Sequence, residues 1–399
     1  MLSRVEANPP TQKEAAADRA RGAAFARLGV FRSFADAEAL WRSLESTAVL
    51  TPYQRFDFLR LWHEHIGARE GVVPLIAVAF DLNGEPLCLL PLGKFARGPF
   101  PVARFLAGKH ANYNFGLWRR GVSLSREFVE RLIEGIAQAE SDLAALELFN
   151  QPYSWQGVEN PLTQLAHQPS PSVGYRLRLG EPGEAVLTRQ LSVSYRSRLR
   201  GREKRLAKLP GYRYFVANTD EEVTRCLDAF FAQKRAHMQA LRIPNPFDEP
   251  QVQAFLRAAC RVGIQGGDRI MEIHALEGGG EVLALYAGVT DGKRYSAMVT
   301  SYTSSEHSKL SPGIGAFAHA VKNTADRGFE MIDLGVGEAE YKLLYCNETE
   351  ELFDSFIPLS PAGHAIVPLL RAQAGLKRFV KTTPALWRAA KIVRSLLPR

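Results

Sequence analysis

The stretch that decides the fold is Tyr295-Ser-Ala-Met-Val-Thr-Ser-Tyr302, followed by Ser308-Lys-Leu-Ser-Pro-Gly-Ile-Gly315, a helical segment, and the apolar run Phe329–Leu334. It reads as strand, glycine-containing loop, helix, strand. A loop of this kind delivers unpaired backbone N–H groups and the positive end of a helix dipole to one point, which makes an anion site. Pro312 suits the first helical turn, where its missing N–H costs nothing. Gly313 and Gly315 let a diphosphate approach the backbone closely. Ser311, Pro312, Gly313, Ile314 and Gly315 are therefore the candidate cofactor-binding residues.

Working outward, Arg269–Leu276 and Glu281–Val289 form a hairpin across Glu277-Gly-Gly-Gly280, and Lys293–Ser301 is a third strand. A short helix over Ala339–Leu344 and a strand over Leu352–Pro358 follow Phe329–Leu334. The first half repeats the order. Val72–Phe80 and Pro86–Leu92 make a hairpin around Asn83-Gly84, and the helix Ser125–Ala139 and the strand Leu143–Phe149 come after it. Each half thus contains a meander, a helix and a strand. The expected fold is mixed α/β: two tandem units, each a mostly antiparallel mixed sheet flanked by helices. The expected boundaries are a mobile arm over 1–26, one unit over 27–174, a second over 175–360, and a tail over 361–399. The length of 399 residues also favours two domains over one core.

The motifs carry a family resemblance. Ser311-Pro-Gly313, Gly328-Phe-Glu-Met-Ile-Asp-Leu-Gly-Val-Gly337 and Tyr341-Lys342 resemble the GNAT-type acetyltransferase domain of the CelD-like proteins associated with cellulose biosynthesis. Those proteins are related to the Fem peptidyltransferases, which hold two GNAT-like units in one chain. Further likenesses are Lys109-His-Ala-Asn112, Phe149-Asn-Gln-Pro-Tyr-Ser-Trp155 and Ile243-Pro-Asn-Pro-Phe247. The loop lacks the commoner Gln/Arg-x-x-Gly-x-Gly/Ala signature. The resemblance implies acetyl transfer from acetyl-CoA to an amine or hydroxyl of a sugar-related or nucleotide-sugar acceptor, in exopolysaccharide or cellulose biosynthesis. A Fem-like aminoacyl transferase and a non-catalytic accessory protein of polysaccharide assembly stay open beside it.

Direct attack on a thioester needs a base, an oxyanion donor and an acid for the thiolate. Asp333 is the expected base or substrate anchor, or else it caps the turn into Gly335. Glu338 relays the proton through water, or simply places charge at a helix start. Tyr341 is the expected acid, with packing as its other reading, and Lys342 is expected to hold a phosphate or sugar acid. His110 and Asn112 lie in a loop suited to reading a sugar hydroxyl, which loop structure alone also explains.

Charge is uneven. Residues 361–399 hold eight Lys and Arg and no acid, which equals the net charge of +8, so residues 1–360 balance. A second cluster, Arg196–Lys208, has seven cations against Glu203. Within it, Arg198 and Arg202 are candidate ligands for a diphosphate, or the helix presents a solvated charged face. Nucleic acid is not the expected partner, because no aromatic residues interleave the cations. The tail mixes its cations with Leu376, Phe379, Trp387 and Ile392, among others. Such a segment either lies on an anionic membrane or packs on the body. Cys88, Cys226, Cys260 and Cys346 are dispersed, with no C-x-x-C and no His at metal spacing, so buried thiols and no metal site are expected. No apolar run approaches the roughly 18–20 residues of a bilayer span. The sequence predicts a cytoplasmic protein, peripheral at most to the inner membrane.

Overall fold

The computed structural model describes residues 25–383 and Leu386. The expected N-terminal arm and the end of the tail lie outside these residues. In the first half the strands are β1 (Arg27–Phe31), β2 (Val73–Phe80), β3 (Pro86–Phe95), β4 (Val102–Phe105), β5 (Ala145–Pro152) and β6 (His167–Pro169). In the second they are β7 (Gly174–Arg178), β8 (Arg213–Val216), β9 (Met271–Gly278), β10 (Glu281–Thr290), β11 (Arg294–Tyr302), β12 (Met331–Val336), β13 (Glu348–Glu350) and β14 (Leu352–Pro358). The helices are α1 (Phe34–Thr47), α2 (Phe56–Trp62), α3 (Arg126–Ala139), α4 (Gly183–Gln190), α5 (Val193–Leu206), α6 (Asp220–Ala240), α7 (Pro250–Ala259), α8 (Pro312–Asp326), α9 (Glu340–Tyr345) and α10 (Pro361–Thr382).

Local chemistry starts these elements where the sequence predicts. Ser125 caps α3 through Phe128 N–H, and Thr219 caps α6 through Glu222 N–H. Gly279 and Gly280 take positive φ at the β9–β10 turn, a conformation without penalty only for glycine. The apolar alternation of the meanders becomes buried sheet faces.

The two sheets share one main path, and the first carries two further short strands off it, Ala48–Val49 and Leu117–Arg119. The first runs β1-β2-β3-β4-β5-β14-β6, and the second runs β8-β9-β10-β11-β12-β7-β13. In each, four antiparallel strands lead through a helix to a fifth strand parallel to the fourth: β4 to β5 through α3, and β11 to β12 through α8. The sixth place of the first sheet is filled from the second half of the chain, whereas the second sheet uses its own opening strand. β14 pairs antiparallel with β5, and β7 pairs antiparallel with β12. Two tandem units are therefore present, but Leu352–Pro358, expected in the second, completes the first. The reason is local: only Glu351 separates β13 from β14, too few residues for a return hairpin, so the strand runs on into the other sheet. Asp354 fastens the crossing by accepting from Asn150 N–H (2.9 Å) and from the Ser170 hydroxyl.

The cores merge as well. One apolar cluster contains Trp41, Phe58, Leu89 and Leu132 of the first unit with Phe230, Phe255 and Val299 of the second. The Phe58 and Phe255 rings meet edge to face at 5.4 Å. A second cluster, around Tyr295, Phe317 and Tyr345, lies between the second sheet and α8. The four cysteines are buried free thiols. α10 docks on the first unit, with Val367 and Leu370 packed on Val102, Ala145 and Phe356.

The crossing generates a test. Phe356→Ala removes a buried ring at a cost of about 3–5 kcal/mol. Hydrogen exchange is expected to rise first in β5, some two hundred positions away in sequence. Faster exchange in β12 with β5 unchanged contradicts the assignment of β14 to the first sheet.

Candidate active site

The parallel ladder of β11 and β12 ends at Ser296 and Asp333. Beyond them β11 carries a bulge at Met298, shown by a register shift against β10, and the two strands part. The cleft opens where they separate.

Asp333 sits at the fork. Its carboxylate is fully buried and accepts from Arg294 Nε (2.6 Å), Ser296 Oγ (2.8 Å), Gly335 N–H (2.9 Å) and Tyr113 O–H (3.3 Å). Three of these donors converge on Oδ1, Arg294 holds Oδ2, and no part of the carboxylate reaches solvent. The expected base is thus placed as a clamp, and the capping of the turn at Gly335 is one part of that clamp. Arg294 is buried too. It reaches Glu350 (3.3 Å) and stacks on Trp155, 4.0 Å from the ring centre.

The first unit enters the fork through Asn112. Its Nδ2 donates to Tyr53 Oη (2.6 Å) and Ala297 O (3.4 Å), and its Oδ1 accepts from Val336 N–H (3.4 Å). Gly335 makes room for it: a Cβ there would lie 2.5 Å from Asn112 Nδ2, and φ is +70°. Asn112 therefore satisfies one backbone group on each strand at the base of the cleft. His110, two residues earlier, turns away. Its Nδ1 accepts from Trp62 Nε1 (3.0 Å), which puts its own proton on Nε2. The two do not form a common sugar-reading site.

Lys342 is also diverted. Its Nζ donates to Gly335 O (3.3 Å) and Val336 O (3.2 Å), closing the end of β12 instead of facing a ligand. Glu338 is exposed between β12 and α9, with no hydrogen-bond partner among the described residues. Tyr341 is partly buried against the second core, and burial raises its phenol pKa, so it stays protonated.

The loop before α8 is held from behind. Ser311 adopts a left-handed conformation (φ 52°, ψ 56°) ahead of Pro312. Tyr286 Oη donates to Gly313 O (3.2 Å), and Tyr345 Oη donates to Ile314 O (3.1 Å). Phe317 packs between the two tyrosine rings. Neither Gly313 nor Gly315 has positive φ, and a Cβ on either would meet only ordinary contacts, at 3.6 Å or more. The fold does not demand these glycines. They leave a helix N-terminus open to close approach.

Helix α5 packs beside this loop and α8. Glu203 reaches Gly315 and is held by His319 (2.7 Å) and by the Tyr212 hydroxyl. Tyr195, Arg198 and Arg202 share one helical face, with the Arg198 guanidinium over the Tyr195 ring. Arg198 is exposed and Arg202 half-buried, and among the described residues neither makes an ion pair. The structure therefore sets α5, which carries Arg198 and Arg202, beside the loop, with Glu203 the α5 residue that meets Gly315, and leaves Lys342, His110 and Asp333 engaged elsewhere. Tyr53, Tyr113, Arg294 and Glu350, which build the fork with Ser296, carry no motif in the sequence.

Residues 193–343 match the family model of the acetyltransferase (GNAT) domain. This segment is a GNAT-type acyltransferase domain. The match begins at α5, so the basic helix belongs to the domain. Solved structures show the same fold over both units. FemX covers 86% of this chain and 100% of its own length, with a TM-score of 0.56 and 11% identity. A conserved protein of unknown function from Bacteroides thetaiotaomicron covers 83% and 100%, with a TM-score of 0.52 and 13% identity. The C-terminal domain of a putative lysylphosphatidylglycerol synthetase from Agrobacterium fabrum covers 84% and 96%, with a TM-score of 0.50 and 10% identity. At these identities the likeness concerns the fold. No curated protein matches the chain in sequence.

Two outcomes follow for variants of the GNAT domain and its neighbour. Asp333→Ala removes the nearer of the two carboxylates that hold buried Arg294 and leaves only Glu350; loss of a buried partner costs about 3–5 kcal/mol, and urea unfolding is expected to show it. Burial, reinforced by Lys109, pushes the His110 imidazole down to about 4, whereas an unfolded imidazole titrates near 6.5. Between those values only the unfolded chain binds the proton, so stability present above about pH 6.5 is lost as pH falls toward 4. His110→Phe is expected to remove about 3 kcal/mol of that decline. An unchanged difference between the pH 6.5 and pH 4 urea midpoints contradicts the neutral buried imidazole.

Proposed function

We propose that the chain transfers an acyl group, with acetyl-CoA as donor, to an amine or hydroxyl of a sugar-related acceptor. The observation that carries the donor assignment is the α8 N-terminus with two glycines that neither backbone nor neighbours require. Arg198 and Arg202, unpaired on the adjacent face of α5, supply cations for the diphosphate, and the bulge at Met298 opens the β11 backbone to the acyl arm. Asn112 already occupies Ala297 O and Val336 N–H, so the thioester lies outward of that point.

In this reading Glu338, through water, takes the proton from the attacking nitrogen or oxygen. The new bond forms at the acyl carbon and the C–S bond breaks. Tyr341, kept protonated by burial, gives its proton to the departing thiolate. Asp333 and Lys342 hold the strands that aim these groups. The CelD-like resemblance supports a role in exopolysaccharide assembly. A second reading, an aminoacyl transferase fed by aminoacyl-tRNA, draws support from the FemX-like fold of both units together with the uncommitted arginines.

Alanine stabilises a helix relative to glycine by up to about 1 kcal/mol, so Gly313→Ala/Gly315→Ala is expected to melt no lower than the parent. Calorimetry is expected to show acetyl-CoA binding weakened about tenfold or more, 1.4 kcal/mol. Equal affinity removes the loop from the donor site, and no acetyl-CoA binding by the parent favours the second reading. In a nucleotide-sugar panel followed by mass spectrometry, Tyr341→Phe and Glu338→Gln are expected to slow acetyl transfer by about 10²-fold or more. Unchanged rates exclude both roles.

A further inference from the structure

Helix α10 has two apolar faces, and among the described residues only one is covered. Gly363, Val367 and Leu370 turn inward. The helix is fastened there by Arg371 Nη2 to Phe356 O (2.8 Å) and Lys381 Nζ to Ser172 Oγ (2.8 Å). On the opposite side Ala365, Leu369, Ala372, Leu376 and Phe379 recur at the spacing of a single helical stripe. Leu369 is 71%, Leu376 63% and Phe379 59% exposed, an arrangement that costs free energy in water unless something covers it.

The charge around the stripe says what covers it. From Pro361 to Arg399 the sequence has no Asp or Glu and eight Lys and Arg. By helical angle Lys377 and Arg378 fall about 120–140° to either side of the stripe, from where long side chains can reach an interface. Two copies meeting along this helix would bring like charges together. An anionic lipid surface meets both requirements, taking the apolar stripe into its acyl boundary and the cations among its phosphates. Among the described residues no helix is long and apolar enough to cross a membrane. The sequence beyond the helix continues the pattern with Trp387, Arg388, Lys391, Ile392, Val393 and Arg394. We infer that α10 is a membrane-surface docking helix that seats the Leu369–Leu376–Phe379 stripe in an anionic bilayer and holds the first unit against it.

The test is flotation of the full chain with phosphatidylglycerol/phosphatidylcholine vesicles and with phosphatidylcholine alone. Binding is expected only to the anionic vesicles, and to weaken with salt. Leu376→Ser/Phe379→Ser, which touches no buried residue, is expected to lower the partition coefficient about tenfold or more while its circular dichroism and melting match the parent. Lys377→Gln/Arg378→Gln is expected to weaken binding to anionic vesicles further at low salt than at high salt. The inference is overturned if the parent ignores anionic vesicles, or if the serine variant binds them as well as the parent. A parent dimer that the serine variant dissociates, with no vesicle binding by either, also overturns it and makes a second copy the occupant. None of these outcomes depends on the acyl-transfer reading.

Discussion

The Arg294–Asp333 pair, buried at the point where two parallel strands separate, is the interaction on which the rest of the structure depends. Burying two charges is tolerable only when their remaining hydrogen-bonding capacity is met, and loss of one partner costs several kcal/mol. Here the requirement is met by groups from both halves of the chain: Tyr113 from the first unit, Ser296 and Gly335 from the two strands, and Glu350 and the Trp155 ring around the guanidinium. The carboxylate therefore does more than pair one arginine. It defines the last residue of the ladder and so the depth of the cleft beyond it.

The crossing of β14 is the same dependence at the scale of the fold. The first sheet lacks its sixth strand until the second half supplies it, and the apolar cores are continuous across the join. Pairings such as Phe353 with Gln151 and Gly174 with Glu350 close loops of great length, which penalises early formation and slows folding. In return the two units cannot rock independently, and a side chain of one, Asn112, holds a fixed place in the cleft of the other. The two units have also diverged in use. The second keeps the glycine loop at the start of its crossover helix, whereas the first caps the equivalent helix with Ser125 and sends the preceding segment, Ala111 to Phe115, into the interface.

How much was legible in the sequence depends on the range of the signal. The hairpins, the cap at Ser125, the Pro312 helix start and the dispersed buried cysteines are written in neighbouring residues, and the structure has them within a few positions. The glycine loop and the basic helix before it were visible for the same reason, and the family match spans both. Asp333 and Lys342 were visible as chemistry but not as placement. A carboxylate and an amine at the end of a strand look like catalytic groups until their partners are known. The partners of Asp333 come from residues 113 to 335, and no spacing rule joins them.

The sequence by itself determined the local elements, the repeated order of meander, helix and strand, and the anion-binding loop, because turn chemistry, capping and apolar period act over a few residues. Only the tertiary structure decided that Leu352–Pro358 completes the first sheet, that Asn112 wedges the cleft of the second unit, and that Asp333 is held by four donors. It also decided that α10 leaves one apolar face outward among the described residues. Burial and hydrogen bonding are properties of what surrounds a group. In a chain whose first sheet takes a strand from its second half, those surroundings come largely from far away in sequence.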